Sequence, residues 1–184
     1  TKGMRACHLS MDKEDRYVFV SGFHDGKATV LRLRKDGGVG EIVDGVFHKG
    51  LGSVAERNFR PHVNCVNITP DQKYLCAVDL GVDQVKIYKF NDETGKITLV
   101  DMLRCELESA PRIIKFSPDG RFAYLICELK NYISVYSYKD GPRGPVFELV
   151  QTISTLNEYH SKGSAACVLR FSRDWNYVLC SNAG

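Results

Sequence analysis

The sequence has 184 residues, which is enough for one domain with a substantial hydrophobic core. Its 25 Lys and Arg and 22 Asp and Glu give a net charge of only +3, and no basic run is present, so we expect no nucleic-acid partner. No apolar stretch is long enough for a membrane span, so we expect no membrane partner either.

The seven cysteines are odd in number, and none forms a C-x-x-C pair. Most lie inside apolar runs, as Cys76 does in YLCAV and Cys127 does in YLICE. This pattern favours free, buried thiols over disulfides or zinc ligands, and it predicts a reducing, cytoplasmic location. We expect no metal and no cofactor, since neither a set of metal ligands nor a glycine-rich phosphate loop is recognisable.

Short runs of alternating apolar and polar residues follow one another along the chain, and helical periodicity is nearly absent. The runs are rich in β-branched and aromatic residues, which is typical of strands, and turn sequences such as PDQK, PDGR and NDETGK separate them. The sequence therefore predicts an all-β fold. In chain order, the clearest predicted strands are 16–22, 27–33, 73–79, 84–90, 121–127, 132–138 and 177–182.

A unit of four strands repeats along the chain. Its marker is a turn followed by an aromatic residue, in MDKEDRY, TPDQKY, SPDGRF and SRDWNY, at intervals of roughly fifty residues. Four-stranded antiparallel units at this period are typical of β-propeller blades, whereas a β-sandwich gives no reason for the repeat and no WD signature is present. We therefore predict a single partial propeller over 1–184, with units at approximately 5–60, 61–110, 111–163 and 164–184.

The sequence covers about three and a half such blades, which cannot close a ring. A seven-bladed propeller would need about twice as many residues. We expect either a longer protein, of which this piece alone is inactive, or self-association of two chains through open sheet edges.

Arg112 and Glu128 lie at mirror positions around the turn of the third unit, in PRIIKFSPDGRFAYLICE. Residues equidistant from a hairpin turn are cross-strand neighbours, so we predict that the two side chains meet at the mouth of the central channel. An ordinary ion pair that only stabilises the hairpin is the alternative. No other unit has a charge at either position; the equivalents are Cys7, Asn64 and Cys167, and Phe23, Leu80 and Ala183.

The chain resembles the seven-bladed lactonase family, which includes bacterial propeller-type 6-phosphogluconolactonases and carboxymuconate cyclases. The resemblance is carried by ACHLSMDKEDRYVFVSGF, RPHVNCVNITPDQKYLCAVDLGVDQVKIYKF, APRIIKFSPDGRFAYLICEL and VQTISTL. It implies a site in the central channel, with Arg112 and Glu128 as two of its residues. Asn64 stands where the family usually has a histidine, Ala183 where it has an arginine, and Cys167 where a glutamate is often found.

Four other residues are candidates for this site. His62 lies two residues before Asn64, a spacing that returns to the same face of a strand, although a histidine beside Pro61 bonded to the backbone is the alternative. Arg57 and Arg60 lie in the connection HKGLGSVAERNFRPH and could attract an anionic substrate. His8 falls near the channel end of the first unit.

The resemblance implies a lactone hydrolase that acts on a sugar-acid lactone, most closely a 6-phosphogluconolactonase. Glu128 would take the proton from water, and Arg112 would bind the lactone carbonyl or an anionic group; His62 and Asn64 would help to bind the substrate. Two alternatives stay open: a propeller that has lost catalysis and binds a sugar acid or a protein, and a carboxymuconate-type cycloisomerase. Asp79 and Asp83 flank a turn, and turn geometry accounts for both.

Overall fold

The structure, a computed structural model, describes residues 3–52, 59–157 and 163–183 as four antiparallel sheets. Three sheets have four strands, which pair in the order in which they follow along the chain, and the last sheet has two. The prediction of an all-β fold built from four-stranded antiparallel units is confirmed. Within the described ranges, no helix has the length and apolar character that crossing a bilayer requires.

Each sheet lies within one of the predicted repeat units. The first consists of β1 (Ala6–Met11), β2 (Tyr17–Gly22), β3 (Lys27–Leu33) and β4 (Val39–Phe47). The second consists of β5 (Val63–Ile68), β6 (Tyr74–Asp79), β7 (Gln84–Phe90) and β8 (Ile97–Arg104), with a short 3-10 helix (Leu80–Val82) between β6 and β7. The third consists of β9 (Pro111–Phe116), β10 (Phe122–Cys127), β11 (Tyr132–Gly141) and β12 (Gly144–Ser154), and the fourth of β13 (Ala165–Phe171) and β14 (Val178–Ala183).

Side chains of the second sheet alternate between two hydrophobic cores. In β6, Tyr74, Cys76 and Val78 pack towards the third sheet, whereas Leu75 and Ala77 pack towards the first. All five are buried, because successive side chains of a strand point to opposite faces and both faces of this sheet are covered. The second sheet therefore lies between the first and the third, and packs face to face with both. The first strands of the four sheets, β1, β5, β9 and β13, are neighbours in that order.

The same polar turn joins the first two strands of each unit. The hydroxyl oxygens of Thr69, Ser117 and Ser172 each accept a hydrogen bond, at 3.0 Å, from the backbone N–H of the marker aromatic. Each hydroxyl also donates to the aspartate two residues later. In the first unit the carboxylate of Asp12 accepts from the N–H of Tyr17 at 2.7 Å. These bonds explain why the turn sequence repeats.

A β-bulge repeats at the start of the first strand of each unit. The register between the first and second strands shifts by one residue at Cys7, Asn64, Arg112 and Cys167. A bulge leaves one residue outside the ladder and redirects its side chain. These four residues, which the sequence repeat makes equivalent, are therefore the bulge residues of β1, β5, β9 and β13. Because these first strands contact one another across neighbouring sheets, we call them the innermost strands.

The polar turns have one position with positive φ, and it offers a test of backbone strain. Asp15 (φ 53°), Gln72 (φ 62°) and Trp175 (φ 62°) occupy it, as does Gly120 (φ 71°). Left-handed backbone is unfavourable for a residue with a Cβ, so Asp15→Gly should raise the free energy of unfolding of the full-length protein by up to about 1 kcal/mol. Chemical denaturation measures this. Asp15→Ala keeps the strain, and equal stabilisation by both variants would contradict the explanation.

Candidate functional site

A cleft of about 510 Å³ opens where the first three innermost strands begin. The bulge residues Cys7, Asn64 and Arg112 line it, so three consecutive sheets contribute to one concavity. A cleft at the converging ends of several strands, with a few polar groups, is the usual form of a small-molecule site. The remaining lining residues are Arg5, Ala6, Phe23, His24, His62, Leu80 and Glu128.

Arg112 and Glu128 form an ion pair in this cleft, between Nη1 and Oε2. The side chain of Glu128 is 3% exposed, whereas that of Arg112 is 31% exposed. The carboxylate therefore lies below the guanidinium, and the guanidinium faces the open space. Burial of a carboxylate is costly unless it is paired or hydrogen-bonded, and Arg112 supplies a charged partner while its guanidinium still lines the cleft.

Arg112 and Glu128 are not directly opposite in the strand register, whereas counting residues from the hairpin turn predicts that they are. Cys127, the last residue of β10, is opposite Pro111, and Ile126 is opposite Ile113. Arg112 is thus the bulge residue, without a directly opposite partner, and Glu128 follows the end of β10. The predicted contact exists, but it depends on a bulge that counting residues from the turn does not reveal.

Asn64 connects the second and third sheets at the cleft. Its Nδ2 donates to the backbone carbonyl of Arg112 at 2.9 Å. The backbone carbonyl of Asn64 accepts from the Ser21 hydroxyl at 3.1 Å and from the Cys7 thiol at 3.4 Å. The amide of Asn64 therefore fixes the backbone that carries Arg112.

His62 lies beside the same opening and is almost fully buried. Its ring stacks on Phe23 with centroids 4.3 Å apart and an interplanar angle of 13°, and Nδ1 lies 2.9 Å from the carbonyl oxygen of Phe23. A carbonyl oxygen only accepts, so in a neutral ring Nδ1 carries the proton and Nε2 is the acceptor nitrogen. His62 thus both bonds to the backbone and lines the cleft.

Not every sequence candidate joins this group. His8 lies outside the lining, with Nε2 3.7 Å from the Cys65 thiol and Nδ1 buried without a hydrogen-bond partner among the described residues. Arg60 is exposed and its guanidinium lies 5.5 Å from the centre of the Phe59 ring. Arg57 lies outside the described residues. Cys167 and Ala183, on the fourth sheet, do not line the cleft.

Sequence reasoning missed two residues next to the site. Asp79 does form the predicted turn, since it accepts from the N–H of Gly81 at 3.1 Å, but it also binds His48 and the backbone of His62. Turn geometry is therefore only part of its role. The second missed residue is His48, which pairs with Asp79. Its position in the sequence gives little warning of this contact, because His48 and Asp79 are far apart and no spacing relates them.

The described residues contain no group of three or more His, Cys, Asp or Glu side chains that could hold a metal ion. All seven cysteines are free thiols, and Cys65, Cys76 and Cys127 are buried. Burial raises the pKa of Cys65 to about 11, so this thiol stays protonated at neutral pH. Cys7 and Cys180 are exposed, which departs from the expectation of thiols inside apolar runs.

The family model for lactonases with a seven-bladed β-propeller matches residues 1–184. The chain belongs to this family. A relative from Bacillus subtilis named 6-phosphogluconolactonase is 30% identical over 182 residues, which are 99% of this chain and 51% of the relative. The chain therefore spans about half the length of the curated relatives it matches.

Two solved structures with 28% sequence identity have the same fold as this chain. A protein from Lactobacillus plantarum superposes with a TM-score of 0.87 at 28% identity, over 99% of this chain and 52% of the other. The periplasmic gluconolactonase of Pseudomonas aeruginosa superposes with a TM-score of 0.86 at 28% identity, over 98% of this chain and 50% of the other. The four sheets of this chain are thus blades of a family propeller.

His8 predicts a pH dependence of stability. Burial, and then the positive charges of Lys115 and Arg170, lower its pKa from 6.5 to about 4. An unfolded chain binds a proton at this residue near pH 6.5, whereas the folded protein does so only near pH 4. The contribution of His8 to the free energy of unfolding is therefore fully present above pH 6.5, and it is lost as the pH falls towards 4.

We expect the free energy of unfolding of the full-length protein to decrease over this range, and to decrease less steeply in His8→Asn. Denaturant titrations at a series of pH values measure both slopes. Other groups add to the absolute slope, so the difference between the two proteins is the readout. Identical slopes would show that His8 takes up protons equally in the folded and unfolded states.

Proposed function

We propose that the full-length protein hydrolyses the lactone of a sugar acid, in the manner of a 6-phosphogluconolactonase, at the cleft of the first three blades. Membership of the lactonase family and the name of the Bacillus subtilis relative support this class of substrate. The observation that carries the proposal is the Arg112 guanidinium, which faces the cleft above a buried Glu128.

Lactone hydrolysis places definite demands on such a site. The oxygen of water attacks the carbonyl carbon while a base takes one of its protons, and negative charge develops on the carbonyl oxygen. The bond from this carbon to the ring oxygen then breaks, and the ring oxygen receives a proton to give the hydroxy acid. The site must therefore supply a cationic donor near the carbonyl and a proton acceptor near the water.

Arg112 fits the first demand, because its guanidinium always carries a charge and can bind a carbonyl, carboxylate or phosphate oxygen through two N–H groups. The second demand has two candidates. Glu128 is buried and paired with Arg112, which supports a role in orienting the guanidinium. His62 lines the cleft with Nδ1 engaged by the Phe23 carbonyl, which leaves Nε2 as a proton acceptor, so we assign the base to His62.

Arg112→Ala should reduce kcat/KM for 6-phosphogluconolactone on the order of 100-fold in the full-length protein, because the developing oxyanion loses its cationic donor. Release of acid during hydrolysis measures the rate. The matched control is Arg121→Ala at the other end of the same hairpin, where Arg121 pairs with Asp119 at 2.7 Å in the exposed turn. A similar loss in both variants would remove Arg112 from the site.

Glu128→Gln separates the two possible bases. Glutamine keeps an oxygen that can accept from Arg112 but cannot take a proton from water. Under our assignment this variant loses activity about tenfold, through weaker orientation of Arg112, whereas His62→Gln loses on the order of 100-fold. The opposite ranking would make Glu128 the base.

The second candidate function is a propeller that binds a sugar acid or a protein without catalysis. Asn64 favours it, because an amide cannot carry a proton at neutral pH and this one is already bonded to the Arg112 carbonyl. Ala183 also lacks the guanidinium that the resemblance implies at its position.

Introducing the two family residues distinguishes a degenerate site from a working one. If the native protein is catalytic, Asn64→His combined with Ala183→Arg should change lactone hydrolysis by no more than about tenfold. If the native protein only binds, its rate equals the uncatalysed background and the double variant rises above it. The same assay on the native full-length protein therefore sets the reference for both outcomes.

A further inference from the structure

A buried histidine–aspartate pair lies directly behind the cleft, outside its lining. Nδ1 of His48 is 2.6 Å from Oδ2 of Asp79, and both side chains are fully buried. His48 follows the end of β4 in the first sheet, and Asp79 ends β6 in the second. The pair therefore joins two blades at the edge of the candidate site.

The other oxygen of the same carboxylate holds His62. Oδ1 of Asp79 accepts from the backbone N–H of His62 at 2.7 Å. The connection between the first two sheets thus begins and ends on one carboxylate, with the His48 side chain on one oxygen and the His62 backbone on the other. The remaining bond to Oδ1, from the N–H of Gly81, fixes the carboxylate itself.

The backbone at the end of this connection packs closely against Gly81. A Cβ at Gly81 would lie 1.7 Å from the backbone oxygen of Arg60 and 3.0 Å from the His62 ring. Only glycine allows this approach. The backbone before His62 is therefore packed closely against the turn that Asp79 caps.

His48 is a neutral ring that donates a hydrogen bond from Nδ1 to Asp79. Burial lowers the pKa of His48, and the hydrogen bond to Asp79 opposes this shift less strongly. A neutral ring that donates from Nδ1 leaves Nε2 as the acceptor, and Nε2 is buried without a partner among the described residues. Lys86 also faces this carboxylate, and its ammonium donates to the carbonyl of Lys49 at 3.3 Å.

The next blade boundary also uses a carboxylate to position a segment of backbone. Asp83 accepts from the backbone N–H groups of Glu108 and Ala110, both at 2.8 Å, and so positions the segment that leads into β9. A carboxylate that accepts from backbone N–H groups therefore positions the segment before the first strand at this boundary too. At the first boundary Asp79 performs this task and additionally binds His48, and the segment that it fixes carries His62.

We propose that His48, acting through Asp79, is a positioning residue that holds the His62 ring in one place and one tautomer at the cleft. This inference rests on the proposed function only in giving His62 a catalytic task. Loss of the His48 donor frees the start of the connection and leaves one carboxylate oxygen unsatisfied. The backbone of His62 then shifts relative to Phe23, and the bond from Nδ1 to the Phe23 carbonyl lengthens or breaks.

The test uses the full-length protein with ¹⁵N-labelled histidine and three variants. His48→Ala removes the donor, and His48→Asn restores one, because the asparagine Nδ2 occupies the position of the histidine Nδ1. Leu75→Ala is the control, since Leu75 is fully buried and lies on the same face of β6 as Asp79, but four residues before it along the strand. Imidazole nitrogen shifts report the His62 tautomer, with the signal identified by its loss in His62→Gln, and steady-state assays report kcat/KM.

We expect His48→Ala to lose the Nδ1–H signal of His62 and to reduce kcat/KM roughly 10- to 100-fold, mainly through kcat. His48→Asn should keep both, and Leu75→Ala should lower the thermal midpoint without changing either. An unchanged His62 signal in His48→Ala would overturn the inference. If native protein shows no lactone hydrolysis, the proposed function fails, whereas the nitrogen shifts still decide whether His48 positions His62.

Discussion

A bulge at the same place in each innermost strand is the constraint on which the site depends. A regular strand sends alternate side chains into the two cores between blades, and β6 shows how completely those cores are filled. One extra residue per strand escapes this alternation. In the first three units that residue is Cys7, Asn64 or Arg112, and all three line one cleft. The repeat thus builds the scaffold, and the bulge gives each blade one position whose side chain lies outside the two hydrophobic cores.

Variation at these positions explains the asymmetry of the cleft. Arg112 places a charge there and is balanced by Glu128 from the same hairpin, so the third blade contributes a self-contained ion pair. Asn64 does not add a second ionisable group; its amide holds the Arg112 backbone instead. His62 reaches the cleft from the segment before β5, held by Asp79 from below and stacked on Phe23 from the first blade. The Arg112 backbone, Asn64 and His62 are therefore each held in part by a neighbouring blade.

Some features of the fold and site followed from residue patterns. Alternation, turn chemistry and the spacing of Tyr17, Tyr74 and Phe122 predicted the strands and their grouping into units, because these are local properties with a fixed period. The contact between Arg112 and Glu128 followed from hairpin symmetry. The bulge that modifies this contact did not, because a one-residue shift in register leaves no distinct mark on an apolar strand.

The sequence by itself determined the four-stranded repeat, the turns and the single unit that carries opposite charges, since each depends on residues close together in the chain. Only the tertiary structure decided which candidates share a cleft. It placed His62 in the same cleft as Arg112 and left His8 outside the lining, because these positions depend on how the blades pack against one another. It also joined His48 to Asp79 across two sheets. The residues of such a contact lie far apart in the chain and have no local spacing in common, so the sequence does not predict that they meet.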